Sequence, residues 1–149
     1  MYTLQQNEGY SKSVPFWREV RGRAAELYQR ENVKPGLDYA LTEVVHCKSR
    51  NNEGVASAVD ECANLYLDRV LSSSAAKIIV TLGTVAARIM TEKYRIDSDS
   101  RVHGPINIGG RDRFVVFLAQ PGSNQARKFV TCVSPDELAK LRAAMKLAT

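Results

Sequence analysis

Four stretches of the chain hold polar residues whose types suit chemistry: 5–14, 47–54, 83–84 and 119–128. Asn7 lies beside Glu8. A side-chain amide is no strong base, but its carbonyl can hold a water in place, and positioning alone contributes substantially to a rate. Glu43, when ionised, only accepts hydrogen bonds. It repels a carbonyl oxygen and suits an exocyclic amino group. The Gln120 amide can donate to a developing anion. Arg127 and Lys128 can contact phosphates. Gly83-Thr84 can open a helix whose N-terminus takes an anion. Each has a plainer reading: Asn7 satisfying backbone in a turn, Glu43 solvated or paired with an arginine, Gln120 satisfying a loop, Arg127 and Lys128 solvated.

These stretches need elements to position them. Residues 14–30 read as a helix with Trp17, Val20, Ala24, Leu27 and Tyr28 on one face. Lys34-Pro35-Gly36 breaks it. Residues 39–47 read as a strand and 49–54 as a polar loop. A helix is expected over 55–71, with Val55, Val59, Cys62, Ala63, Tyr66 and Val70 as its stripe. The continuous apolar run 76–82 suits a strand buried on both faces, and Gly83 leads into a helix over 84–93. Residues 97–104 read as polar loop, with His103 as an exposed loop histidine. A strand at 114–118 follows Gly109-Gly110 and precedes Pro121-Gly122. The last helix has an explicit start: Ser134 caps, Pro135 enters the first turn and Glu137 completes a capping box. Leu138, Leu141 and Met145 give its buried face. Strands alternating with helices imply a mostly parallel sheet covered on both faces. Ligands of such sheets bind beyond the strand C-terminal ends.

Composition sets the class. The chain has 149 residues, 44% hydrophobic and 25% charged, which suits one domain with a real core. No apolar run is long enough to span a membrane, and residues 1–10 do not read as a secretory signal. Three cysteines argue against a disulfide scaffold and fit a reducing cytoplasm. The charge is uneven. Residues 1–75 carry 9 Lys/Arg and 10 Asp/Glu, whereas 76–149 carry 12 and 6, so the net +5 belongs to the second half. A basic half of this kind fits a polyanion such as nucleic acid.

Read in order, the segments resemble the uracil-DNA glycosylase superfamily. Gln5-Gln6-Asn7-Glu8-Gly9-Tyr10 is similar to its first motif, and Pro15-Phe16 to the Pro-Phe that follows. Thr42-Glu43-Val44-Val45-His46-Cys47-Lys48 resembles a Thr-Asn-Val-Val-Lys-Cys strand end, with Asn51-Asn52 and Cys62 beyond it. Residues 76–87 resemble the Pro-Lys-Val-Ile-Val-x-Leu-Gly-x-x-Ala segment, and residues 118–123 stand at the second catalytic motif. The resemblance implies a three-layer α/β/α sandwich with a short, mostly parallel four-stranded sheet, its first strand at 1–4. It implies hydrolysis of an N-glycosidic bond in damaged or single-stranded DNA, with no cofactor. Asn7 would then hold the water and Gln120 stabilise the leaving base. Gln6, Phe16 and Glu43 would contact the base, and Ser123, Arg127 and Lys128 the DNA backbone. Cys47 and Cys62 resemble two of the four ligands in the iron–sulfur branch. Two thiolates do not hold a four-iron cluster, so both are expected to be buried, facing each other without metal. Gln5, Glu8, Glu43 and Gln120 depart from the family's usual residues, and this favours the alternative of a catalytically inactive nucleic-acid-binding module.

Overall fold

The computed structural model describes residues 15–46, 50–97, 99–121 and 128–146. In chain order the elements are α1 (Pro15–Tyr28), a 3₁₀ turn (Arg50–Asn52), α2 (Val55–Cys62), a wide π turn (Ala63–Leu67) and α3 (Asp68–Ser73). There follow β1 (Ile78–Leu82), α4 (Thr84–Tyr94), β2 (Val102–Ile108), β3 (Arg111–Leu118), α5 (Phe129–Cys132) and α6 (Pro135–Lys146). No helix among the described residues is long and apolar enough to cross a membrane. The chain divides into two compact units, Met1–Ala40 with Leu118–Thr149, and Leu41–Phe117.

In the first unit α1, α5 and α6 pack against one another. Val20, Ala24 and Leu27 recur at helical spacing and are buried, as are Phe129, Val133, Leu138 and Leu141. Tyr28, expected on that face, is exposed. Its hydroxyl donates to the Asp38 carbonyl at 2.8 Å. α1 stops there because Gln29 turns left-handed (φ 53°), and the Arg30 N–H closes back on the Ala25 carbonyl at 3.3 Å. The start of α6 is the expected capping box. Glu137 N–H donates to Ser134 Oγ at 3.3 Å, and Ser134 N–H to Glu137 Oε2 at 3.0 Å.

The second unit is mixed α/β with a three-stranded sheet in the order β1-β3-β2. β2 and β3 are antiparallel and β1 runs parallel to β3. This corrects the mostly parallel four-stranded expectation. Residues 40–46 form no strand. Val44 and Val45 are instead pressed, half-buried, against the core from an extended segment, so their apolar character was read correctly but their pairing was not. The first strand expected at 1–4 lies outside the described residues. β2 takes in residues 102–104, the end of the stretch expected as polar loop, and runs on through 105–108. Gly104-Pro105 interrupts its register with β3 between His103 and Ile106, a disruption tolerated on an edge strand. The hairpin is closed by Gly109 and Gly110 at φ 61° and 77°, the left-handed pair that a two-residue turn requires.

α2, the π turn and α3 run on without a break and cover the sheet. Val59, Ala63, Leu67 and Leu71 are buried with Ile89, Met90, Ile108 and Val115. The wide turn adds a residue to the helix and keeps positions four apart on one side. Leu67 therefore takes the place expected for Tyr66, which is exposed.

Arg113, in the central strand, is fully buried. Its Nη2 donates to the Leu71 carbonyl at 2.8 Å and the Ser74 carbonyl at 2.6 Å. These acceptors end α3, where the helix dipole favours a cation. Burial, and then the charge of Arg111, hold the Arg113 pKa below its ordinary value. Arg113→Ala opens a cavity and takes the donor from the Ser74 carbonyl, leaving the Leu71 carbonyl only its bond from the Ser74 N–H at 3.1 Å, and is expected to cost about 3–5 kcal/mol, read from urea unfolding. Ser134→Ala removes one half of the capping box and is expected to cost about 1 kcal/mol in the same measurement.

Candidate functional site

The residues singled out for chemistry fall into three groups. Gln6, Asn7, Ser123 and Arg127 lie outside the described residues, as does Cys47. Phe16, Gln120 and Lys128 belong to the first unit, and Glu43 to the second.

Phe16 is the second residue of α1. It is 40% exposed, and its ring meets that of Trp17 edge-on at 4.9 Å between centroids. It is not core. Gln120 is exposed two residues beyond β3. Lys128 is exposed, while its carbonyl is fixed by the N–H groups of Thr131 (3.1 Å) and Cys132 (3.0 Å). The backbone is thus anchored and the ammonium projects from an ordered turn.

Glu43 is exposed, and among the described residues no cation pairs with its carboxylate. The hydrophobic grip on Val44 and Val45 holds the segment that follows it. His46 is exposed, with its ring 5.5 Å from that of Tyr66. Cys62 is buried and free, and Cys132 is half-buried and free. Among the described residues no three His, Cys, Asp or Glu side chains converge. His103, expected in an exposed loop, is half-buried in β2. Its Nε2 lies 2.7 Å from the Ser100 carbonyl and its ring packs on Phe117. Gly83 (φ 92°) precedes α4, and among the described residues no side chain caps that N-terminus.

Two polar groupings escaped the reading of the sequence. The first is on α1. Arg23 is buried and pairs with Glu26 at 2.9 Å and Glu19 at 3.7 Å. The Glu26 backbone carbonyl accepts from Arg142 Nη2 at 2.8 Å. Both carboxylates of α1 are thereby drawn to the buried arginine. Arg18 and Arg21 are exposed and have no ion-pair partner among the described residues. The residues four along from them are Gly22 and Ala25, where a helix would place a compensating acid. Gly22 has open space around a would-be Cβ, so no internal packing explains a residue that costs α1 about 1 kcal/mol against alanine. The spacing was legible; the direction in which Glu19 and Glu26 turn was not.

The second grouping joins α3 to α4. Tyr94 donates its hydroxyl to Asp68 Oδ1 at 2.6 Å, and Lys93 Nζ lies 3.0 Å from Asp68 Oδ2. Burial opposes ionisation of Asp68, but the hydrogen bonds from Tyr94 and Lys93 and the Lys93 charge outweigh it. They hold the carboxyl below its ordinary 3.8. Burial, then the bond to Asp68, push the Tyr94 phenol well up. Nothing in the sequence marks this pairing, since the partners are 26 residues apart.

No protein-family model, curated protein or solved structure matches this chain.

The Asp68 carboxyl is depressed in the folded state, so its contribution is present above the unfolded value near 3.8 and is lost as pH falls through the folded value. Tyr94→Phe removes the donor. It is expected to lower stability at pH 7 by about 1 kcal/mol and to flatten the loss on acidification below the unfolded value, both read from urea midpoints across pH.

Proposed function

We propose that this chain is a nucleic-acid-binding protein that takes a base out of the DNA stack and, as a uracil-DNA glycosylase-like enzyme with a three-layer α/β/α frame, hydrolyses its N-glycosidic bond. The observation that carries this reading is the exposure of every candidate residue described, namely Phe16, Glu43, Gln120 and Lys128. Residues that must meet a polymer and a flipped base have to face solvent. The basic second half of the chain supports a polyanionic partner.

In this reading Asn7 holds a water through its amide carbonyl. Water oxygen bonds to the sugar C1′ as the C1′–N bond breaks. The electron pair leaves with the base, whose anion the Gln120 amide stabilises by donating a hydrogen bond. The water's proton is released to solvent or the departing base. Phe16 offers a stacking face. An accept-only Glu43 selects a base carrying an exocyclic amino group. Ser123, Arg127 and Lys128 engage phosphates, and no cofactor is required.

The exposed Glu43, with no cation pairing it among the described residues, also favours a second reading: the chain binds nucleic acid and releases no base. The two separate in a base-release assay on DNA carrying uracil, hypoxanthine, xanthine, cytosine or an undamaged control, followed by alkaline cleavage. Base release that falls at least about 100-fold in Asn7→Ala supports the hydrolase. Glu43→Gln is expected to shift preference away from the amino-bearing base, and an unchanged preference would remove the role given to Glu43. DNA binding with no release from any substrate supports the binding module.

A further inference from the structure

We propose that the outer edge of β1 is an interface whose occupant is β1 of a second copy of this chain, paired antiparallel about a two-fold axis at Val80. This interface does not depend on the nucleic-acid reading above. β1 ends the sheet, since the strand order is β1-β3-β2. Successive residues of a strand turn their backbone groups to opposite edges. The Lys77 carbonyl accepts from the Phe114 N–H of β3 at 2.9 Å. Ile79 and Thr81 therefore face β3 as well, and the Thr81 hydroxyl reaches the Val116 carbonyl there at 3.1 Å. Ile78, Val80 and Leu82 turn their N–H and C=O groups the other way. Among the described residues none of those groups has a hydrogen-bond partner.

Unpaired groups along a sheet edge are a template for another strand. The two edges of this sheet differ in that respect. β2 carries exposed Gly104-Pro105 and loses register with β3 there, and the proline has no N–H to offer. β1 has no proline, glycine or charge from Ile78 to Leu82. The side chains of Ile78, Val80 and Leu82 are only half-buried, so they still have apolar surface to lose.

The strand matches its own copy. With Val80 opposite the partner's Val80, Ile78 falls opposite the partner's Leu82. All of these become hydrogen-bonded pairs, and about six backbone bonds satisfy every outward group of both strands. Charge agrees with this register, because Lys77 falls opposite the partner's Gly83 and no like charges meet across the axis. Ile78, Val80 and Leu82 of both strands then line one face, where apolar neighbours cover one another. A patch that pairs with itself in this way is what a two-fold interface requires.

The test is sedimentation velocity of the full chain over about a hundredfold range of concentration, with residue-resolved amide exchange at both ends of that range. A monomer–dimer equilibrium is expected. The amides of Ile78, Val80 and Leu82 are expected to exchange at least about tenfold more slowly at the concentrated end, while those of β2 do not change. Val80→Lys sets two like charges on the axis and is expected to weaken the dimer at least about tenfold. Val80→Glu does the same, and mixing the two variants restores association. Thermal unfolding shows whether each variant is folded, and the exchange pattern is read on the wild-type chain, so the outcome does not hang on either. A monomer at every concentration overturns the interface. Slow exchange of Ile78, Val80 and Leu82 at all concentrations also overturns it, since another segment, such as residues 40–46, then covers the edge. A dimer that leaves those amides fast, or that persists unchanged in both charge variants, associates elsewhere and overturns the role given to β1.

Discussion

The guanidinium of Arg113 sits in the central strand of the second unit, with no exposure to water, and holds the carbonyls of Leu71 and Ser74. A buried cation is costly unless its donors find acceptors. Arg113 Nη2 finds two acceptors at the end of α3, where the helix dipole is negative, while its buried Nε and Nη1 have no partner among the described residues. It also sets where α3 must stop relative to β3. The hairpin answers the same constraint from the other side, since a Cβ at Gly109 would come within 2.9 Å of Ser72. Helix end, central strand and hairpin tip are therefore placed by close approaches that leave little room for substitution.

Around that joint the helical layer is tuned by a single wide turn. The π segment lets Val59, Ala63, Leu67 and Leu71 share one buried side, and it turns Leu65 and Tyr66 outward. Tyr66 then lies against His46. The ties from Asp68 to Tyr94 and Lys93, and from Asp60 to Arg88, join the helical run to α4 along its rim. The apolar layer supplies the bulk of the stability, and these half-exposed polar pairs contribute modestly beside it.

The first unit shows how a buried charge shapes a surface. Arg23 needs acceptors, and Glu19 and Glu26 provide them. The consequence appears on the opposite side of α1, where Arg18 and Arg21 are left uncompensated among the described residues. The capping box at Ser134 and Glu137 fixes where α6 begins, and the Arg142 bond to the Glu26 carbonyl ties α6 back to α1.

The sequence by itself determined the longer helices and the positions of β1 and β3. Their signals are local: period, capping residues and an apolar run such as residues 78–82, although β1 lies at the sheet edge with only Thr81 buried and not, as that run suggests, buried on both faces. Of the residues singled out for chemistry, Phe16, Glu43, Gln120 and Lys128 are exposed. Tertiary structure alone decided the rest. β2 was hidden because Gly104-Pro105 reads as a loop, and only pairing with β3 makes it a strand. Residues 40–46 carry strand-like residues but have no strand partner among the described residues. The direction of Glu19 and Glu26, the phase of the long helical run and the acceptors of Arg113 depend on neighbours that short-range pattern does not record, because packing and burial choose them after the chain has folded back on itself.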